Sequence, residues 1–163
     1  MLAEQWIEVF KVPRGGTTGG WSAEEVRAMA EAYDPATHES PLVVGHPRTD
    51  APAYGWTKAL RARETSDGLV LEAMPHQVEP QFEELLQAGR FKKRSIAIYP
   101  PEESPVPGTP YLRHIGWLGA AAPAVVRHYT ATLKATGTGA SGPLVTRAVG
   151  TNVVNTPATA WIE

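Results

Sequence analysis

Proline and glycine divide the β-prone parts of this sequence into short segments. The 163 residues include 15 prolines and 15 glycines. Residues 5–10 alternate polar and apolar side chains, residues 42–44 are stopped by Gly45-His46-Pro47, and residues 95–99 close on Pro100. Because proline lacks the N–H that a β-ladder requires, none of these strands can extend far. The chain is therefore constrained to short strands joined by turns.

Two further strands flank a turn at Ser66-Asp67-Gly68. They are residues 54–63 and 69–74, and glycine in the turn accepts the backbone conformation that hairpins often need. Another alternating segment, residues 111–118, follows a proline-rich loop and contains His114 at its middle. The pattern therefore predicts one β-hairpin and one further strand.

Two segments have the spacing of amphipathic helices. Ser22 and Glu25 form a capping-box signature, and apolar residues then recur at helical spacing. A second segment, within residues 80–88, carries Phe82, Leu85 and Leu86 on one face. Together with the strands, these helices predict an α+β fold.

The length predicts one domain with a hydrophobic core and a tail. Residues 1–129 contain all the periodic segments, whereas residues 130–163 are rich in Thr, Ala, Gly and Val with few charges. Such a composition cannot build a packed core of its own. We therefore expect a domain over residues 1–129 and an extended arm or linker over residues 130–163.

Charge and cysteine content exclude several classes of function. The net charge is −2, so no basic surface points to nucleic acid or an anionic membrane. There are no cysteines, which excludes disulfides and thiolate chemistry. Neither a membrane-spanning run nor a signal peptide is recognisable. These features are typical of a soluble, unexported protein.

Ser95, His46 and His114 are the candidates for catalysis. A serine hydroxyl needs a neighbouring base to act as a nucleophile, and histidine has a suitable pKa. Of the five histidines, His46 and His114 lie at or in predicted strands that could converge with Ser95. A triad would require Ser95 Oγ at about 2.6 to 3.5 Å from a ring nitrogen of His46.

Structural roles for the same three residues stay open on the pattern alone. A histidine at a strand end is more often a hydrogen-bonded structural residue, and the same holds for a half-buried histidine such as His114. Ser95 follows Lys92-Lys93-Arg94, which is typical of a solvated strand edge.

Metal and phosphate sites are the chemical alternatives. His46, His76 and His114 with Asp50 or Glu72 could supply ligands, but their spacing resembles no compact metal motif. The glycine pairs at 15–16 and 19–20 are not followed by the Lys-Ser/Thr of a phosphate-binding loop. We expect no metal and no cofactor.

Four blocks of sequence resemble the Mu-type phage prohead proteases. They occur in the same order over roughly residues 5–128, and four collinear blocks are more specific than any one motif. They are Pro-Leu-Val-Val-Gly-His-Pro at 41–47, Asp-Ala-Pro-Ala-Tyr-Gly-Trp at 50–56, Phe-Lys-Lys-Arg-Ser-Ile-Ala-Ile-Tyr-Pro at 91–100 and Tyr-Leu-Arg-His-Ile-Gly-Trp-Leu-Gly-Ala at 111–120.

The resemblance implies a serine endopeptidase that cleaves scaffold and major capsid proteins inside the immature head, in the host cytoplasm. It implies a barrel-like core of mostly antiparallel strands flanked by helices, similar to the herpesvirus assemblins. The nucleophile would be Ser95, the base His46 and the orienting residue His114, where related proteases have an acidic residue or a second histidine. Arg94 and Arg113 are candidate oxyanion donors, and self-association in the prohead is compatible with this role.

A non-enzymatic capsid module is the alternative. Full-length members of the family continue into a long helix-rich scaffold region, whereas this chain has a short tail rich in Thr, Ala and Gly. A relative that kept the fold as a scaffold or cement protein would show the same departure. In either role we expect extended partners to add a strand at an exposed sheet edge.

Overall fold

A computed structural model describes residues 1–48 and 50–120 and the short strand Ala148–Val149. In chain order the elements are β1 (Ile7–Pro13), β2 (Thr17–Thr18), β3 (Trp21–Ser22), α1 (Ala23–Ala32), β4 (Leu42–Val44), β5 (Trp56–Thr65), β6 (Gly68–His76), α2 (Pro80–Gln87), β7 (Lys93–Tyr99), β8 (Tyr111–Leu118) and β9 (Ala148–Val149).

The strands form two principal sheets. One has the order β1-β6-β5 and the other β4-β8-β7-β9, while β2 and β3 pair as a separate small hairpin. Within the described residues, β4 and β8 are parallel and every other strand pair is antiparallel. The predicted α+β class with mostly antiparallel strands is confirmed.

The two principal sheets approach each other at two places. A single bridge joins Pro41 to Trp56, so the start of β4 meets the start of β5. On the other side, Arg94 Nε of β7 donates to the carbonyl of Glu8 in β1 at 3.0 Å. In the part of the chain that the structure describes, no β-ladder joins the two sheets at either place. The strands therefore surround the core without forming a closed barrel.

The core lies between the two sheets and under the helices. Its fully buried side chains come from both sheets and from both helices. They include Phe10, Leu71, Phe82, Ile96, Leu112 and Trp117. Alternation along each strand directs these side chains inward and leaves charged residues such as Lys58, Arg61 and Arg63 in solvent, as the sequence predicted.

The helices begin where the sequence predicted. Ser22 caps α1 by accepting from the N–H of Glu25, whose carboxylate accepts from the N–H of Ser22 in return. In α2, Phe82 is buried, but Leu85 is 44% exposed, so the prediction that Leu85 lies on the buried face was wrong. The helix has only eight residues, and Phe82 is the residue that it buries in the core.

The tail lies mostly outside the described residues. Only β9, at 148–149, is described within the predicted arm of residues 130–163, and it pairs with β7. No helix within the described ranges is long and apolar enough to span a bilayer.

Candidate active site

His46 follows β4 and is held against the sheet by a turn at Gly45. Gly45 has a φ of 67°, a left-handed conformation that glycine adopts at little cost. Its N–H donates to the carbonyl of Trp117 at 2.8 Å, so the chain remains attached to β8 as it turns. His46 is consequently only 9% exposed.

His46 and His114 are joined by a hydrogen bond. His46 Nδ1 lies 2.7 Å from His114 Nε2, and both rings are buried. One of these nitrogens donates and the other accepts, so the tautomer of one ring fixes that of the other. The sequence could suggest that these residues converge, and the structure brings them into direct contact.

Ser95 faces the same side of the sheet as His114. Ser95 is paired with Gly116, and Ala97 is paired with His114. Directly opposed residues project from the same face of a sheet, and so do residues two positions apart on one strand. Ser95 and His114 therefore project from the same face of the β7–β8 pair.

Gly116 leaves room for the Gly45 carbonyl and for the edge of the His46 ring. A Cβ atom at Gly116 would lie 2.1 Å from the Gly45 carbonyl oxygen and 3.3 Å from His46 Cε1. Opposed Cβ positions in antiparallel strands are about 5 Å apart, so the space above Gly116 adjoins Ser95. The Gly45 carbonyl oxygen is the nearest atom to this position, and His46 Cε1 also borders it. The His46 ring therefore lies on the face of the β7–β8 pair from which His114 and Ser95 project.

Ser95 Oγ is completely buried. No hydrogen-bond partner for it was found in the described part of the chain, and Ser95 has 0% exposed surface. The hydrogen bond to His46 that a working triad needs is therefore not formed in this arrangement. Such contacts often tighten only when substrate binds, and the three catalytic roles stay predictions.

Burial lowers the pKa of both histidines. Loss of solvent, with a smaller contribution from the positive charge of Arg113, lowers the pKa of His46 to about 4. Burial also holds the pKa of His114 well below its ordinary range, and the neighbouring His46 and Arg113 act in the same direction. Both rings are therefore neutral at pH 7, the state in which a histidine can accept a proton.

The two arginines proposed as oxyanion donors differ in position. Arg94 precedes Ser95 in β7 and so projects from the opposite face, where it donates to the Glu8 carbonyl. Burial lowers its pKa. Arg113 occupies an irregularity in β8, because Ala97 pairs with His114 while the next residue pairs with Leu112. Its charge acts on both histidines, and its side chain lies over the ring of Tyr99 at 5.4 Å.

The residues considered for a metal do not assemble around His46. His76 Nε2 lies 2.5 Å from Glu39, and Glu72 binds Arg61 and Arg63. Within residues 1–48 and 50–120, no group of three or more histidines or carboxylates could hold a metal ion.

Gly45 and Gly116 are the parts of the site that the sequence interpretation missed. A signal for Gly116 was present, because a glycine inside an alternating strand often marks a close backbone approach. His128, the last histidine of the chain, lies outside the described residues.

A scan of protein-family models, a search of curated proteins and a search of solved structures each returned no match to this chain.

Proposed function

We propose that this chain is a serine endopeptidase of phage head maturation, with Ser95 as nucleophile, His46 as base and His114 as the residue that orients the base. The observation that carries the proposal is the His46–His114 hydrogen bond above Gly116, directly across the ladder from Ser95. A buried histidine pair beside a buried serine on one face of a sheet is the spatial requirement of a nucleophile, base and orienter set.

The reaction would follow the general acid and base route. His46 Nε2 takes the proton of Ser95 Oγ as that oxygen attacks the carbonyl carbon of a peptide bond. The C–N bond then breaks, and the amine leaves with the proton from His46. Water, deprotonated by His46, hydrolyses the acyl-serine and restores the free hydroxyl. His114 Nε2 accepts from His46 Nδ1–H throughout, which keeps Nε2 of His46 directed at the nucleophile.

Arg113 is the better candidate to stabilise the negative charge that forms on the carbonyl oxygen. Its charge reaches the histidine pair, whereas Arg94 is used in a contact with β1 on the other face of β7. Cationic groups in sites with little water stabilise an oxyanion strongly.

The proposed substrates are phage scaffold and major capsid proteins, and the proposed location is the prohead in the host cytoplasm. Support comes from the four sequence blocks, three of which contribute residues to the site: His46, Ser95 and the His114–Gly116 pair. An assemblin-like architecture belongs to the same proposal. It is supported by the incomplete wrap of antiparallel strands with flanking helices.

A non-enzymatic capsid module is the second candidate function. The observation in its favour is the complete burial of Ser95, because a substrate carbonyl cannot touch Oγ in this arrangement. In such a module the histidine pair would only stabilise the packing of β4 on β8.

Cleavage of scaffold and capsid proteins from the phage that encodes this chain distinguishes the protease from the capsid module. Scaffold and capsid proteins would be co-expressed and assembled with the wild-type chain, with Ser95→Ala, or with Ser66→Ala, and their intact masses measured. Ser66 lies exposed in the β5–β6 turn and serves as the matched control. We expect fragments with the wild type and Ser66→Ala, and a loss on the order of 10⁴-fold or more with Ser95→Ala.

Full-length substrate masses in assembled heads with every variant would overturn the protease proposal and favour the capsid module. Fragments that persist with Ser95→Ala but disappear with His46→Ala would show a protease whose nucleophile is a different residue.

A further inference from the structure

The strand that carries Ser95 has its outer edge covered by a distant segment of the same chain. In the order β4-β8-β7-β9, the inner edge of β7 pairs with β8 and its outer edge pairs with β9. Val149 is opposite Ile96, and Ala148 is opposite Ala97. The paired stretch of β7 therefore begins at the residue directly after Ser95.

We propose that the outer edge of β7 is the binding site for an extended peptide, and that Ala148–Val149 occupies this site so that the tail and a substrate compete. The inference rests on the proposed protease function, since it names the substrate-binding edge of that same site. The ligand is a peptide in strand conformation, recognised mainly through its backbone.

The position of the edge suits a peptide that must reach Ser95. A strand added to β7 runs about 4.8 Å from it, so its carbonyl groups pass beside consecutive β7 residues. Antiparallel pairing at Ile96 and Ala97 brings the neighbouring part of the added strand alongside Ser95. No deep pocket is required, because the backbone ladder itself sets the position of the peptide.

In the proposed scheme, the arrangement with β9 in place is the closed state. Ser95 has no exposed surface, yet a substrate carbonyl must touch Oγ before any bond can form. β9 has two residues and pairs with β7 alone among the described strands, so its departure would break only the β7–β9 ladder.

The tail needs little intrinsic affinity to keep the edge occupied. Residues 119–147 connect β8 to β9, so the segment is always close to its site. Binding of a segment of the same chain is intramolecular, so its effective concentration does not depend on the protein concentration. Free substrate at lower concentration would bind weakly until the tail is displaced.

Peptide binding to the full chain tests the competition. The probe is a fluorescent peptide with the sequence of residues 144–153, and the protein is the Ser95→Ala chain, which cannot cleave it. Ala148→Pro/Val149→Pro in that chain removes the N–H groups that a ladder needs. We expect the peptide to bind at least about tenfold more tightly to the proline variant, because the site is no longer occupied. Equal affinity in the two proteins would overturn the proposal.

A reversible crosslink provides the test without proline. The chain has no cysteine, so Ala97→Cys/Ala148→Cys introduces one defined pair at positions opposed in the ladder. In the Ser95→Ala chain, oxidation should weaken peptide binding at least about tenfold, and reduction should restore it. Each single-cysteine variant is the control for the substitution itself. Peptide binding that is equal before and after oxidation would overturn the proposal, whatever the proline variant does.

The crosslinked chain also distinguishes failure of the binding-edge proposal from failure of the protease proposal. If reduction opens the edge to peptide while the chain with Ser95 intact cleaves no capsid or scaffold protein, the protease fails and the binding edge stands. If that chain cleaves equally well with the crosslink oxidised, the protease stands and the tail does not control the site.

Discussion

At the scale of single residues, the main feature is a pair of imidazoles kept away from water. His46 Nδ1 and His114 Nε2 share one hydrogen bond, and the surrounding burial opposes a positive charge on either ring. A histidine that is buried in its neutral form lowers the free energy of unfolding at low pH, because the unfolded chain binds a proton there and the folded chain does not.

The stability of the protein should therefore fall as the pH is lowered from about 6.5 to about 4. In this window the unfolded state binds more protons at His46, because its pKa is about 4 in the folded protein and ordinary when unfolded. The full shift corresponds to on the order of 3 kcal/mol, and His114 acts in the same direction. Urea unfolding at pH 7 and pH 4.5 measures the change.

The matched control is His46→Asn/His114→Asn, which keeps every carboxylate and removes both imidazoles. Its stability should depend less on pH across this window. An equal dependence in the two proteins would show that the histidine pair is not the cause.

Replacing His114 with an acidic residue should raise the pKa of His46. A carboxylate near Nδ1 favours the imidazolium, so His114→Glu should raise that pKa by at least about one unit, whereas the neutral His114→Gln should not. NMR titration of His46 in the Ser95→Ala chain makes the comparison. A His46 pKa that is the same in the Glu and Gln variants would contradict direct contact between positions 46 and 114.

At the scale of elements, β8 organises the site. It pairs in parallel with β4, which leads into His46, and antiparallel with β7, which carries Ser95. Its own residues supply His114 and the gap at Gly116. The arrangement depends on a close approach of two backbones at Gly45 and Gly116.

Replacing Gly116 with alanine should both destabilise the fold and displace His46. In Gly116→Ala the added methyl meets the Gly45 carbonyl oxygen, a backbone atom that cannot rotate away. We expect a loss of about 3 kcal/mol in unfolding free energy and displacement of His46, detected as a changed His46 pKa. Gly119→Ala is the control, because its methyl meets the movable ring of Phe91. Equal behaviour of the two variants would contradict the close approach.

The sequence predicted local elements well and their relative arrangement poorly. The strand at 42–44, the strand at 111–118 and the capping box at Ser22 all follow from near neighbours in the chain. The parallel pairing of β4 with β8 does not, because it joins segments about 70 residues apart through backbone hydrogen bonds that any side chain permits. The position of His46 on the face from which Ser95 projects depends on that pairing. The predicted strands suggested only that the two residues could converge, and the resemblance to a known family gave them paired roles.

At the scale of the whole molecule, Phe82 connects the short helix α2 to the core between the two sheets. Its ring packs against Tyr54, Phe91 and Trp117, with centroids 5.1 to 5.9 Å apart. Three separate parts of the chain therefore meet around one side chain.

Truncating this side chain should destabilise the entire fold. Phe82→Ala is expected to lower the unfolding free energy by about 3 to 5 kcal/mol, since it removes a fully buried ring. Leu85→Ala on the same helix should cost less than about 0.5 kcal/mol, because Leu85 is largely exposed. Thermal unfolding of both variants provides the measurement, and equal losses would contradict the packing described.

The central position of β8 also has a consequence for synthesis of the protein. A nascent chain that ends before Tyr111 already contains His46 and Ser95, but it lacks the strand that holds β4 and β7 together. The ribosome therefore has to deliver residues through Leu118 before the three side chains can meet. If the proposed activity is correct, a polypeptide that ends before β8 cannot cleave a substrate.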